Sequence, residues 1–282
     1  MEQDLDTFTL RHVHVNGTSI NVALAGSGPA ILFLHGWPHT WEIWRPVMER
    51  LRSDHTVIAP DLRGLGASGR ADAGYDLHTL ADDAEAILDA LDVATADVVG
   101  IDLGTAIAWM FAMRHPARVR RLCVMEGLLG TLPGAEDFLR KGPPWWFGFH
   151  GVAGLAETVL QGNEAAYIDW FLKAGTRNRI GVDEAFRQAF VQAYSSKEAM
   201  RCGFAHYRAF AENARQIDAI AQGGRSGLPI LAIAGGVVGT ALAGQLRPIS
   251  ADLQEDVIGE CAHLIPLEQP QALADRLRSF LA

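Results

Sequence analysis

Ala96-Asp97-Val98-Val99-Gly100-Ile101-Asp102-Leu103-Gly104-Thr105-Ala106-Ile107 is a short apolar run that breaks at a glycine-bracketed aspartate and resumes with helical character. Ala96 to Ile101 reads as a strand, and Thr105 to Arg114 as a helix that stops before Pro116. Gly100-Ile101-Asp102-Leu103-Gly104 therefore lies on a strand-to-helix turn and has the form G-x-S-x-G, with aspartate where serine commonly stands. Such a turn lifts one side chain above the sheet, beside the first N–H groups of the next helix. Those groups and the helix dipole favour a carboxylate there.

Working outward, short apolar runs alternate with helical patterns, the signature of a parallel sheet built from strand–helix–strand units. Phe8 to Val15 and Ser19 to Ala25 flank the hairpin signal Asn16-Gly17. Ala30 to Leu34 is a buried strand, Trp41 to Leu51 a helix, Thr56 to Ala59 a strand and Leu77 to Leu91 an acidic amphipathic helix. After the strand Val119 to Met125 the alternation stops for more than 90 residues rich in Trp, Phe, Gly and helical spacing. It resumes with strands Leu228 to Ala234 and Leu253 to Ile258 and a closing helix, Pro270 to Leu281. The spacing predicts a sheet domain, 1–127 and 223–282, interrupted by a helical insertion over 128–222.

The bulk composition narrows the function classes. The 282 residues are 49% hydrophobic and 20% charged, enough apolar content for a large core. Against 24 Lys and Arg stand 33 Asp and Glu, a net charge of −9 that argues against nucleic acid or an anionic membrane surface as partner. Cys123, Cys202 and Cys261 are too few and too scattered for a disulfide framework or a metal cluster. Met1 to Thr9 is acidic and lacks the apolar segment of a leader peptide, so a cytoplasmic location is expected. The chemistry calls for neither a metal nor an organic cofactor.

Three further segments sit where such a fold turns its strands over to loops. His35-Gly36-Trp37-Pro38 follows one strand, Asp61-Leu62-Arg63-Gly64-Leu65-Gly66-Ala67-Ser68 another, and Gly259-Glu260-Cys261-Ala262-His263 precedes Ile265-Pro266. With the aspartate turn, these motifs make the chain resemble the α/β-hydrolase superfamily over essentially its whole length. Within it, the chain resembles the aspartate-nucleophile branch of epoxide hydrolases and haloalkane and haloacetate dehalogenases. The resemblance implies a mainly parallel eight-stranded sheet flanked by helices, with a helical cap inserted after the sixth strand. It implies Asp102 as nucleophile, His263 as general base, and an oxyanion hole from the backbone N–H groups of Trp37 and Leu103. His35 is read as a residue that orients its loop, and Asp61 to Ser68 as structural bracing. For the acid that orients His263, the loop Gly235 to Thr240 after the seventh strand offers no carboxylate. Glu126, just after the sixth strand, is the candidate, with Asp252 as the fallback.

The insertion decides what leaves the substrate. Tyr207, in Ala205-His206-Tyr207-Arg208, matches one of the two ring-opening positions of epoxide hydrolases, and Trp146, with Trp145 beside it, stands at the other. Indole N–H donates but does not protonate, so the pair also resembles a halide pocket. Two dehalogenase signatures are absent: no arginine follows Asp102, and Trp37 and Leu103 stand where haloalkane dehalogenases carry Asn and Trp. Epoxide hydrolysis is favoured, with dehalogenation as the alternative and a non-catalytic small-molecule binder as the reading from another class. Trp37 and Phe149, with the other aromatics of the insertion, suit a hydrophobic substrate, which together with water is the expected partner. Serine esterase chemistry is disfavoured, since no serine stands in the turn.

Overall fold

Asn16 and Gly17 both adopt positive φ, 45° and 77°, as the two-residue hairpin turn requires. They join β1 (Thr9–Val15) to β2 (Thr18–Ala25), with Val15 opposite Thr18. The computed structural model describes residues 8–282. Most of the Met1 to Thr9 segment read above for leader character thus lies outside the described residues.

The remaining strands are β3 (Ala30–Leu34), β4 (Thr56–Pro60), β5 (Ala96–Ile101), β6 (Val119–Met125), β7 (Ser226–Ala234) and β8 (Ser250–Val257). They form one sheet in the order β1-β2-β4-β3-β5-β6-β7-β8, antiparallel at β1/β2 and β2/β4 and parallel elsewhere. The expected mainly parallel eight-stranded sheet is therefore present. β7 and β8 begin two and three residues earlier than their apolar runs, because their first turns of strand are polar or half-exposed.

Register places the chemistry. Leu34 pairs with Gly100, Ile101 with Met125, and Met125 with Ile233. The carboxyl ends of β3, β5, β6 and β7 are consequently level, and the residues just beyond them form one row, the usual ligand-binding edge of an open α/β sheet.

Helices flank the sheet: α1 (Arg45–Leu51), α2 (Leu77–Ala90) and α3 (Leu103–Arg114) come before β6. The stretch read as one helix from Trp41 is a 3-10 turn, Trp41–Trp44, followed by α1. Pro46 lacks an N–H and is tolerated in an α-helix only in its first turn, so the α-helix starts beside it. α3 is apolar on every face and buried, with Trp109 and Phe111 enclosed, which fixes the helix behind Asp102.

Between β6 and β7 the described chain is helical: α4 (Glu136–Leu139), α5 (Trp145–Gly151), α6 (Leu155–Val159), α7 (Glu164–Ala174), α8 (Glu184–Ala193), α9 (Lys197–Arg208) and α10 (Phe210–Ala221). Three more helices, α11 (Ala241–Leu246), α12 (Ile265–Glu268) and α13 (Pro270–Leu281), follow in the last part. Among the described residues no helix is long and apolar enough to cross a membrane.

Candidate active site

Asp102 sits between β5 and α3 with φ 56° and ψ −124°, a conformation that L side chains rarely adopt. Surrounding structure enforces it. A Cβ at Gly104 would lie 2.1 Å from the Leu34 carbonyl oxygen, and one at Gly36 would lie 2.0 Å from Asp102 Oδ1. Only glycine lets α3 and the β3 loop close this tightly around the aspartate.

The two carboxylate oxygens have different partners. Oδ1 accepts from the backbone N–H of Trp37 at 3.0 Å and of Leu103 at 2.7 Å, the pair expected to form an oxyanion hole. Oδ2 lies 3.0 Å from His263 Nε2, and His263 Nδ1 lies 3.2 Å from Glu126 Oε2. Glu126, at φ 47°, is buried, and its carboxylate also accepts backbone N–H groups from Gly235 at 2.9 Å and Val238 at 3.0 Å. The acid-free loop after β7 thus wraps the carboxylate of β6. The fallback, Asp252, is exposed on β8 and paired with Pro229, away from this row.

Electrostatics follow from this packing. Burial alone would depress His263, yet hydrogen bonds to Asp102 and Glu126 and their charges outweigh it and raise its pKa to about 10. Burial likewise opposes ionisation of Asp102, but the His263 hydrogen bond and charge hold its pKa below the ordinary carboxylate value. At rest the site holds an imidazolium between two carboxylates.

A cavity of about 360 Å³ opens above Asp102. Its walls are mostly apolar, from Leu77, Leu80, Trp146, Phe147, Trp170, Phe171 and their neighbours. Tyr207 lines it and is buried; burial and the nearby Asp102 charge hold its phenol well above 10, so it is protonated. The Trp37 ring, which also lines the cavity, packs against His150, Tyr167, Phe171, Tyr194, Phe204 and Tyr207 at centroid distances of 4.9 to 6.1 Å. One residue thereby supplies a backbone donor to Asp102 and a side chain that seats the insertion carrying Tyr207.

Asp102, His263, Glu126, Trp37, Leu103, Tyr207 and Trp146 meet at this cavity. Two expectations need correction. Trp145 is 54% exposed, and neither it nor Phe149 lines the cavity. Successive residues of α5 point about 100° apart, so Trp146 facing inward turns Trp145 out, and Phe149, four residues on, follows Trp145. His35 is structural as read: it accepts the Leu62 N–H at 3.1 Å through Nε2, and its Nδ1 lies 2.7 Å from the Gly36 carbonyl. Asp61 likewise braces Asn21, Trp41 and Ala67, and Arg63 is paired with Asp83. His39 and His206, given no role from the sequence, both line the cavity. Proximity to His35-Gly36-Trp37 was the available signal for His39; for His206 it was adjacency to Tyr207.

A family profile described as alpha/beta hydrolase fold matches residues 29–150. The chain is 29% identical to a soluble epoxide hydrolase of Corynebacterium sp. strain C12, over 95% of each chain. It is 34% identical to a haloalkane dehalogenase of Mesorhizobium japonicum over 66% of this chain and 61% of that one. The crystal structure of Cfl2 from Burkholderia cenocepacia superposes with a TM-score of 0.90 at 31% identity, covering 98% of this chain and 96% of that one.

Proposed function

The chain belongs to the α/β-hydrolase superfamily, and from that premise we propose that it is an epoxide hydrolase acting on hydrophobic epoxides. The observation that carries the reading is a carboxylate on the elbow, with one oxygen on two backbone N–H groups, the other on His263, and a protonated tyrosine in the apolar cavity above. In this reading 128–222 is the cap and the flanking segments are the catalytic core.

Asp102 Oδ2 attacks an epoxide carbon and the C–O bond breaks. The alkoxide takes the phenolic proton of Tyr207, assisted by hydrogen bonding from Trp146. The product of this step is an ester on Asp102 beside a Tyr207 phenolate. The imidazolium proton of His263, no longer held by an Asp102 charge, passes across the cavity to that phenolate and leaves His263 neutral. Water then gives a proton to His263 Nε2 while its oxygen bonds to the Asp102 carbonyl carbon. The oxyanion develops on Oδ1, already held by Trp37 and Leu103 N–H. Collapse expels the alkyl oxygen, which takes the proton from His263 and leaves as the diol. The acid proton left on Asp102 passes to His263 Nε2 and re-forms the resting imidazolium.

A second reading is dehalogenation. Trp146 in the cavity wall favours it, since halide departure needs donors and no proton, and a haloalkane dehalogenase is among the relatives. Turnover of a panel of epoxides and alkyl halides in heavy-oxygen water separates the two. Diol release with label in Asp102 after a single turnover is expected, and Tyr207→Phe should slow ester formation by roughly 10²-fold. Label confined to product would refute the covalent route. Halide release with every epoxide untouched would establish the second reading.

A further inference from the structure

The loop that supplies the Trp37 N–H continues to His39, which the steps above do not use. Its backbone is fixed on both sides: N donates to the Gly36 carbonyl at 3.1 Å, and the carbonyl accepts the Tyr194 hydroxyl at 2.6 Å. Phe190 packs edge-on against the ring at 5.5 Å. The imidazole lines the cavity, 6.3 Å from the His263 ring between centroids and tilted 32° to it.

Among the described residues neither ring nitrogen has a hydrogen-bond partner, and Nδ1 is wholly buried. Buried polar groups are paired in the great majority of cases, and an unpaired one costs about 1–3 kcal/mol. A phenylalanine or leucine would pack here without that cost. Burial lowers the His39 pKa to about 3, so the ring is neutral and carries one proton. A proton on Nδ1 would be an orphan donor inside the protein, whereas a bare acceptor there is better tolerated. The favoured tautomer therefore has Nε2–H, the nitrogen that opens on the cavity.

We propose that His39 is a positioning residue for the water that hydrolyses the Asp102 ester. The assignment rests on the ester mechanism above. In that step the water gives one hydrogen to His263 Nε2 and one lone pair to the carbonyl carbon of Asp102. Its second lone pair is left to accept, and His39 Nε2–H faces it from beside His263. Two contacts rather than one fix the line of attack. A small misplacement of reacting atoms costs on the order of 10²-fold in rate.

The test compares ester formation and ester decay in the full-length enzyme, His39→Phe, His39→Leu and His39→Gln, with an aromatic epoxide. Intact mass follows the ester, and tryptophan fluorescence follows the rates. His39→Phe and His39→Leu should form ester within about twofold of wild type and hydrolyse it roughly 10- to 100-fold more slowly. Ester then accumulates, and kcat and KM fall together. His39→Gln, which restores an N–H donor, should recover part of the decay rate. Equal slowing of both steps, or decay indifferent to all three substitutions, would overturn the assignment in favour of packing. Should one apolar variant fail to fold, the other against His39→Gln decides it. A wild-type enzyme that forms no ester with any epoxide or halide would sink the underlying mechanism as well, so the two failures are distinct.

Discussion

At the scale of single residues, the proposed mechanism turns on one charge changing hands. His263 is held as an imidazolium by Asp102 and Glu126, with its pKa raised to about 10. In that form it is no base. In the proposed mechanism ester formation would convert Asp102 to a neutral group, removing one hydrogen-bonded carboxylate and letting the pKa fall, so that the base would appear only after alkylation. Ester decay should accordingly rise with pH through a single ionisation, that of His263 beside Glu126 alone. Glu126→Gln removes the remaining carboxylate that raises this pKa. The acid limb of ester decay should therefore move to lower pH, while the plateau drops by a few orders of magnitude because the tautomer is no longer held by charge. Single-turnover decay measured across pH checks both; a limb that stays put would remove Glu126 from the electrostatic account. Asp102, Glu126 and His263 were legible in the sequence because each is tied to a strand end, and strand ends are set by short apolar runs. His39 was not, since its significance lies in a missing hydrogen-bond partner, which only packing exposes.

At the scale of elements, pattern reading failed where a helix had to be placed in phase rather than merely detected. The run Trp145-Trp146-Phe147 says that an aromatic helix begins, but which ring faces inward depends on how α5 rolls against α9, and Trp145 is the one turned out. The start of α2 shows the opposite case. Leu77 was readable as its beginning, yet the reason is remote in sequence. Of its first three N–H groups, Thr79 is capped by Asp76, Leu77 by Asn213 Oδ1 at 3.0 Å and His78 by Gln216 Oε1 at 2.9 Å. Gln216 Nε2 also donates to Asp76 at 2.9 Å. Two side chains of α10 thus complete a helix terminus of the core, and the same helix presents Ala214 and Ile217 to the cavity. Gln216→Ala leaves His78 N–H without its acceptor and should cost about 1–2 kcal/mol of stability, as for a lost helix cap. Urea unfolding would read this as a lower midpoint at unchanged slope; an unshifted midpoint would mean that water replaces the amide.

At the scale of the molecule, sheet and insertion meet at the candidate site itself. The Gly175 carbonyl, at the end of α7, accepts the backbone N–H of both His263 at 2.9 Å and Leu264 at 3.1 Å, so the insertion holds the His263 loop as well as roofing the cavity. That helices would lie between β6 and β7 could be anticipated from the halt in strand–helix alternation, but this contact could not. Surface and cavity also differ in kind: the chain carries a net charge of −9, yet no Lys or Arg lines the cavity among the described residues. A carboxylate-bearing epoxide would have to shed its hydration with no lysine or arginine to receive it and with the His263 charge already taken up by Asp102 and Glu126, a penalty of several kcal/mol per ion. An apolar chain gains instead, by about 0.8 kcal/mol for each buried methylene, roughly a fourfold rise in kcat/KM. Along a series of terminal alkyl epoxides, kcat/KM should therefore climb by up to about fourfold per carbon and turn over once the chain outgrows the 360 Å³ cavity. An epoxide ending in a carboxylate should fall far below its hydrocarbon counterpart of equal length. Steady-state kinetics on matched pairs checks both trends. A flat series, or a carboxylate accepted as readily as a methyl group, would mean that substrate binds with its chain outside this cavity.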